Sequence, residues 1–388
     1  MKARIYLDNA ATTCLDPRVL EIMLPYYTEI YGNPSSLHFF GTRAKEVLEH
    51  SKKVIATSIG ARTEEIIFTS GGTESNNFAI KGLAFANRHK GNHIIVSAIE
   101  HDCILNTCKW LEGQGFYITF IPVNQHGLVE TEMLRNLITP KTILVSVMFG
   151  NNEIGTLQPV EEIGKICREY GIAFHSDACQ SFGKVPIHVD KNNLDLLTIN
   201  SHKIYGPKGV GALYVRKGTQ IAPLLHGGGQ EEGLRSSTEN IPGIAGFAKA
   251  IELCMAEMEH ERVRLSALRK KLSTFLFEEF KNVYINGHPK NRLPGHLSFS
   301  FHGLEGETIR LLLLLDEMGI AVSAGSACSS NDKTHNASHV LQAIGLNPFE
   351  ARGAIRVSLG RFNTEKDIDV LKVALKSTIM QLNSIFTC

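Results

Sequence analysis

No Cys-x-x-Cys pair occurs anywhere in the 388-residue chain, although it carries eight cysteines. Without that spacing, and in a chain this long, neither a disulfide framework nor a zinc site is expected. The thiols read as reduced, cytoplasmic and mostly packed as small hydrophobes. Net charge is also missing: 40 Lys and Arg offset 39 Asp and Glu, leaving +1. That excludes the basic footprint of a nucleic-acid binder or of a protein drawn to anionic membranes. No run of roughly 18 apolar residues is present, so nothing is expected to span a bilayer. The amino-terminal stretch reaches Asp8 before an apolar segment builds up, which argues against a secretory signal. Internal repeats, low-complexity tracts and long linkers are absent as well.

What remains is an ordinary globular composition, 43% hydrophobic and 20% charged, with length for about two or three domains. Seven short β-rich runs stand out: Ile66–Thr69, His93–Ile99, Tyr117–Val123, Thr142–Met148, Ile172–Ser176, Leu194–Asn200 and Ala212–Val215. Helical spacing precedes the first, over Arg43–Ile59. It recurs between later ones, over Glu74–Arg88, Cys103–Leu111, Glu130–Ile138 and Val160–Tyr170. Strands separated by helices predict βαβ units and a mostly parallel sheet. The runs are apolar throughout, as expected when helices cover both faces. After residue 240 a long helical pattern (241–281) leads to shorter strands at Leu297–Phe301 and Ile355–Leu359. Helices at Glu305–Met318 and Glu365–Leu382 complete an α+β texture. This predicts a second, smaller domain, which the extreme amino terminus joins.

Three places look able to carry chemistry. Gly71-Gly72-Thr73 follows a strand and opens a helix; Thr73 reads as the N-cap, and free N–H groups at a helix start attract phosphate. A plain capped turn fits that pattern equally. Asp177, with Gln180 beyond it, ends a strand of the predicted parallel sheet, where such folds bind ligands. It is either a carboxylate for the protonated nitrogen of a heteroaromatic ring or a capping residue. Lys203, in Asn200-Ser201-His202-Lys203, also follows a strand and is either a surface cation or a Schiff-base lysine. Gly206–Gly211 lacks the G-K-[ST] ending of a phosphate loop and reads as a turn. His89/His93 and His335/His339 have i, i+4 spacing without a third ligand, so no metal is expected and they read as solvent or loop histidines.

An acid for a pyridinium and an amine for an aldehyde on nearby strands bring a family into view. The chain resembles the fold type I pyridoxal-phosphate enzymes of the class-V aminotransferase group, and within it the NifS/IscS-type cysteine desulfurases. The matching stretches run in order from Tyr6–Thr13 through Tyr31–His38, Thr73–Asn77, Glu100-His101, Asn151–Gly155 and His202–Gly209. Arg235–Thr238, Gly325–Cys328 and Ile355–Phe362 continue the match to nearly the end of the chain. The resemblance implies an α/β fold whose large domain, residues 14–255, holds a mostly parallel seven-stranded sheet. Residues 1–13 and 256–388 would form the small domain. It implies a Schiff base between Lys203 and pyridoxal phosphate, Asp177 on the ring nitrogen, His101 stacked on the ring and Gln180 on its phenolic oxygen. Gly72, Thr73, Ser201 and His202 would hold the phosphate, with Thr238 reaching it from the partner subunit of a homodimer. Asn152 and Arg356 would orient the carboxylate of L-cysteine.

Cys328 would be the nucleophile that takes sulfur as a persulfide, His101 assisting as acid–base. The persulfide would pass to an acceptor, an iron–sulfur scaffold or a tRNA-thiolation carrier. Its surroundings, Ser323–Thr334, are small and polar, which suits an exposed reactive thiol rather than a packed one. The polar stretch resembles the family branch with a long catalytic loop. Cys179 would only pack beside the cofactor. The chain departs from the family where Asn200 replaces the usual Ser or Thr, leaving an amide to contact the phosphate. It also has Arg235-Ser-Ser-Thr238 for Arg-Ser-Gly-Thr, and it ends at Cys388 without the scaffold-binding extension. A selenocysteine lyase, another class-V lyase, or an idle binding protein on the same fold are the alternatives.

Overall fold

The computed structural model describes residues 4–325 and 337–386, the side chains from 383 onward excepted. Cys328 and His335 therefore lie outside the described residues. After strand β1 (Ile5–Tyr6) come the strands of the large sheet: β2 (Ile66–Thr69), β3 (His93–Ser97), β4 (Tyr117–Ile121), β5 (Thr142–Ser146), β6 (Ala173–Asp177), β7 (Leu196–Asn200) and β8 (Gly211–Val215). Five more follow: β9 (Val283–Asn286), β10 (His296–Phe301), β11 (Ile320–Ala321), β12 (Ser323–Ala324) and β13 (Ile355–Ser358).

The large sheet has seven strands in the order β2-β8-β7-β6-β5-β3-β4. All pairs are parallel except those of β8, which runs antiparallel to β2 and β7. Each of the seven apolar runs forms a strand: β2 matches its run, β3, β4, β5 and β7 are two residues shorter, β6 shifts by one to end at Asp177, and β8 begins one residue earlier at Gly211. Strands β2, β3, β5, β7 and β8 are buried throughout, but β4 is not: Tyr117 and Phe120 are exposed. The expectation of full burial fails at this edge of the sheet, whereas β2 at the opposite edge stays buried.

Local chemistry accounts for the helices that frame the site. Val160–Tyr170 ends at Gly171, whose φ of 65° is the left-handed conformation that closes a helix. The predicted helix 74–88 is real but begins at Gly72 and is interrupted by a π-helical turn over Phe78–Gly82. Such turns insert one residue and re-aim the preceding side chains. The long helix Ile241–Glu279 serves two cores. Its first half, Ile244 to Cys254, packs with the strands of the large sheet; Leu265 to Leu276 pack with Phe299, Val357 and Leu371.

That second core rests on the antiparallel sheet β12-β13-β10-β9. Strand β9 has no counterpart in the sequence reading, and neither do the two-residue strands β1, β11 and β12. Two to four residues are too few for a period of two to declare itself. Strand β1 pairs in parallel with β11, and Leu7 packs in the second core.

Candidate active site

The carboxyl ends of the parallel strands gather the predicted residues. Asp177 closes β6, Asn200 closes the adjacent β7, and Lys203 lies three residues beyond it. The turn after β2 carries Gly71 and Gly72. Gly71 adopts φ 153°, and a Cβ on Gly72 would fall 2.6 Å from Cys179 Sγ and 3.5 Å from Asn200 Nδ2. Only glycine lets this backbone lie against the ends of β6 and β7. The helix starts at Gly72 with Gly71 as its cap, so Thr73 is not the N-cap that was expected. Its backbone is already helical, and the non-helical cap position falls on Gly71, whose φ of 153° suits glycine.

Asp177 is buried and held by two donors. Asn76 Nδ2 donates to Oδ2 at 2.7 Å and the Cys179 N–H to Oδ1 at 2.8 Å. Asn76 was not singled out from the sequence. Its signal is position: four residues after Gly72, it projects from the same helix face one turn on. Beneath Asp177, burial holds the His175 imidazole down to about 4, and its nitrogens meet Ser146 and Thr198 hydroxyls.

His101 caps the helix Asp102–Glu112, its Nδ1 accepting the Cys103 N–H at 3.1 Å. An accepting Nδ1 places the proton of the neutral ring on Nε2. Burial lowers the His101 pKa, and the Lys203 charge lowers it further against the raising effect of Asp177. His101 is thus a helix-start residue that also borders Asp177 and Lys203. Lys203 acts electrostatically on His101, Cys103, Cys179, Lys184 and His202, which makes it the shared neighbour of the group. Burial, with Lys203 beside it, brings His202 down to about 4.

The Tyr6–Thr13 stretch laces the site to the small unit. Gln180 Nε2 donates to the Ala10 carbonyl at 2.7 Å, Thr12 Oγ1 meets His202 Nδ1 at 3.1 Å, and the His202 carbonyl accepts the Thr13 N–H at 2.9 Å. Arg356, on β13, is 1% exposed. Its Nη1 donates to the Asn152 carbonyl at 2.9 Å and Nη2 to Asp8 Oδ1 at 2.8 Å, while the buried Nε has no partner. Asn152 and Arg356 therefore meet, but through the Asn152 backbone. Asp8, unmarked by the sequence reading, pairs the guanidinium. Removing one member of a buried pair costs about 3–5 kcal/mol, so Arg356→Lys is the cleaner probe. It should leave the fold intact, lose the bidentate fork and raise KM for a carboxylate substrate roughly tenfold or more. An unchanged KM in steady-state assays would place the carboxylate site elsewhere.

Two expectations need correction. His93 is not a solvent or loop residue but a buried member of β3, bonded to Thr142 Oγ1 at 2.7 Å and Thr119 Oγ1 at 2.9 Å on the flanking strands. His339 opens a short helix and donates Nε2–H to the Glu100 carbonyl at 2.9 Å. In both, strand or helix placement supplies partners that i, i+4 spacing cannot reveal. Thr238 is exposed and does not join the cluster within its own chain.

A phosphorylated pyridine aldehyde matches this donor set. Asp177 offers a carboxylate, Lys203 an amine and the Gly72 helix start its N–H groups, while the buried Ser201 hydroxyl has no protein partner. Comparison with known proteins agrees. The aminotransferase class-V family model matches residues 5–371. A cysteine desulfurase IscS of Methanosarcina thermophila is 50% identical over 380 residues, 98% of this chain and 93% of that protein. A solved NifS-like protein superposes with a TM-score of 0.90 at 40% identity, covering 97% of this chain and 99% of the other. The structure of SspA in complex with cysteine gives 0.82 at 40% identity, over 93% of this chain and 100% of its own. By sequence, fold and site, the chain belongs to the class-V aminotransferase family.

Proposed function

We propose that the chain is a pyridoxal-phosphate-dependent cysteine desulfurase that releases L-alanine and keeps the sulfur as a persulfide on Cys328. The observation that carries the reading is the meeting of Lys203, Asp177 and His101 at the strand ends, with the Arg356 fork reaching the same site from the small unit. Bound pyridoxal phosphate supplies the electron sink that makes the cysteine carbon–sulfur bond labile. Gly72, Thr73, Asn200, Ser201 and His202 hold its phosphate, and Gln180 faces its ring oxygen. Asp177 keeps a proton on the ring nitrogen, and Arg356 with Asn152 orients the substrate carboxylate. Lys203, freed by the incoming amine, moves the proton at the substrate α-carbon. His101, neutral with its hydrogen on Nε2, is placed to relay a second proton. The Cys328 thiolate then attacks the substrate sulfur. One sulfur–sulfur bond forms as the carbon–sulfur bond breaks, its electron pair returning to the carbon that becomes the alanine methyl.

The state of five other thiols supports Cys328, whereas Cys14 is free and exposed. Burial pushes Cys103 and Cys108 up to about 12 and Cys254 to about 11, and raises Cys167 and Cys179 as well. Cys179 packs beneath the site, as anticipated. A homodimer is part of the proposal. Leu24, Tyr27, Tyr31, Leu37 and Phe39 are each more than half exposed within one short stretch, apolar surface of the kind subunits cover. Thr238, exposed in its own chain, would then serve the partner's phosphate site. Cytoplasmic location is proposed from unpaired cysteines; no helix among the described residues is long and apolar enough to cross a membrane.

The test is to feed the purified holoenzyme L-cysteine and L-selenocysteine side by side, trap the product by alkylation and map it. Alanine from cysteine with persulfide on Cys328 supports the reading. Turnover of selenocysteine with only weak turnover of cysteine would make the chain a selenocysteine lyase. Incubating the trapped persulfide with a cell extract then separates an iron–sulfur scaffold from a tRNA-thiolation carrier as the acceptor.

A further inference from the structure

Glu153 is used by no step above, yet it is almost fully buried beside the substrate-side turn. That turn is rigid. Asn151 Oδ1 accepts the N–H groups of Glu153 and Ile154 at 2.8 and 2.9 Å, and its Nδ2 donates to the Ile99 carbonyl at 3.0 Å. The Asn152 carbonyl accepts from Arg356 Nη1, and His296 Nε2 donates to the Glu153 carbonyl at 2.9 Å.

The Glu153 side chain leaves the turn towards two chain segments that are distant in sequence. Ser338 Oγ donates to Glu153 Oε2 at 2.5 Å while accepting the Leu341 N–H at 3.1 Å, so one hydroxyl both caps the helix His339–Ala343 and fastens it to Glu153. A Cβ on Gly325 would lie 3.0 Å from the same Oε2. Gly325 continues β12, whose Ser323 pairs in register with Arg356. The residues on either side of 326–336 therefore converge on one carboxylate, within the same few contacts as the guanidinium. Next to Ser338, His339 holds the Glu100 carbonyl, one residue from His101.

A carboxylate is a costly group to bury for packing alone, since an apolar side chain of similar size would avoid its desolvation. Burial does push the Glu153 carboxyl up, while the His339 charge, the Ser338 hydroxyl and Arg356 act in the opposite sense. We infer that Glu153 is a positioning residue for sulfur transfer. It fastens Ser338, on one margin of the stretch that contains Cys328, and packs against Gly325 on the other, tying them to the turn that, through Asn152 and Arg356, orients the substrate. The inference rests on the reading of Cys328 as the sulfur-accepting thiol.

Two variants approach the contact from opposite sides: Glu153→Ala and Ser338→Ala, each as holoenzyme, with Glu153→Gln to restore an acceptor for the Ser338 hydroxyl. Two signals are followed after mixing with L-cysteine: the change in the cofactor's visible band, which does not involve Cys328, and the rate at which persulfide appears. The band change should stay within about twofold of the parent, while persulfide formation falls on the order of 10–100-fold, the scale of a misplacement of about 1 Å. KM should hold as kcat drops, and Glu153→Gln should recover most of the rate. Unchanged persulfide rates in both alanine variants, or a parallel fall of both signals, would overturn the inference. A Cys328→Ser control separates the two readings. Persulfide that still forms there on another thiol removes the premise and the inference together. Its absence there, with full rates in the Glu153 and Ser338 variants, defeats only the role given to Glu153.

Discussion

The Lys203→Ala holoenzyme preparation is expected to lack the parent's visible band and to lose cysteine desulfuration by at least 10²–10⁴-fold, the usual worth of one positioned proton-transfer group. Two roles fail together. The amine that binds the cofactor aldehyde is gone, and so is the base at the substrate α-carbon. The nearby Lys184 amino group, brought down to about 7 by burial and by the Lys203 charge, is the one other lysine lining the cavity beside Lys203 among the described residues. It follows the β6 end rather than the β7 end, and its polar contact is Gln180 Oε1 at 3.4 Å. Fold should survive, because Lys203 makes no ion pair among the described residues and its backbone neighbours are tied by Thr13. Absorbance spectra of parent and variant, with a thermal melt as control, decide it. A variant that keeps the parent band would refute the Schiff-base assignment.

The second large effect is expected from Cys328→Ser. This variant should bind cofactor as the parent does and still change its visible band when cysteine is added, yet show no protein persulfide after alkylation and mass analysis. Serine keeps the size but not the sulfur nucleophile, whose reactivity depends on its thiolate. Burial disfavours that form in Cys103, Cys108, Cys167, Cys179 and Cys254, which leaves exposed Cys14 as the described thiol the mass analysis must exclude. Persulfide found on the variant would sink the assignment. The order of the two results matters: Lys203→Ala should abolish both signals, Cys328→Ser only the second.

Much of this was legible in the residues. The large strands are long, apolar and separated by helical periods, so burial on both faces wrote them into the sequence; only the edge strand β4 departs, with Tyr117 and Phe120 turned outward. Asp177, Lys203 and the Gly71-Gly72 turn were visible because strand ends are marked by a change from apolar to polar residues. The contacts that hold them were not. Asn76 to Asp177, Asp8 to Arg356, Ala10 to Gln180 and Ser338 to Glu153 join residues roughly 100 to 350 positions apart.

By itself the sequence determined the α/β class, the chemical types at the strand ends and the absence of a Cys-x-x-Cys framework. Those depend on local periodicity and side-chain chemistry, which one chain displays directly. The tertiary structure decided that the helix cap is Gly71 rather than Thr73, that His93 is a satisfied core residue, and that Arg356 is held by Asp8. Each is a matter of which groups are brought within hydrogen-bond distance, and the directional, short-range nature of that bond leaves no periodic trace along the chain.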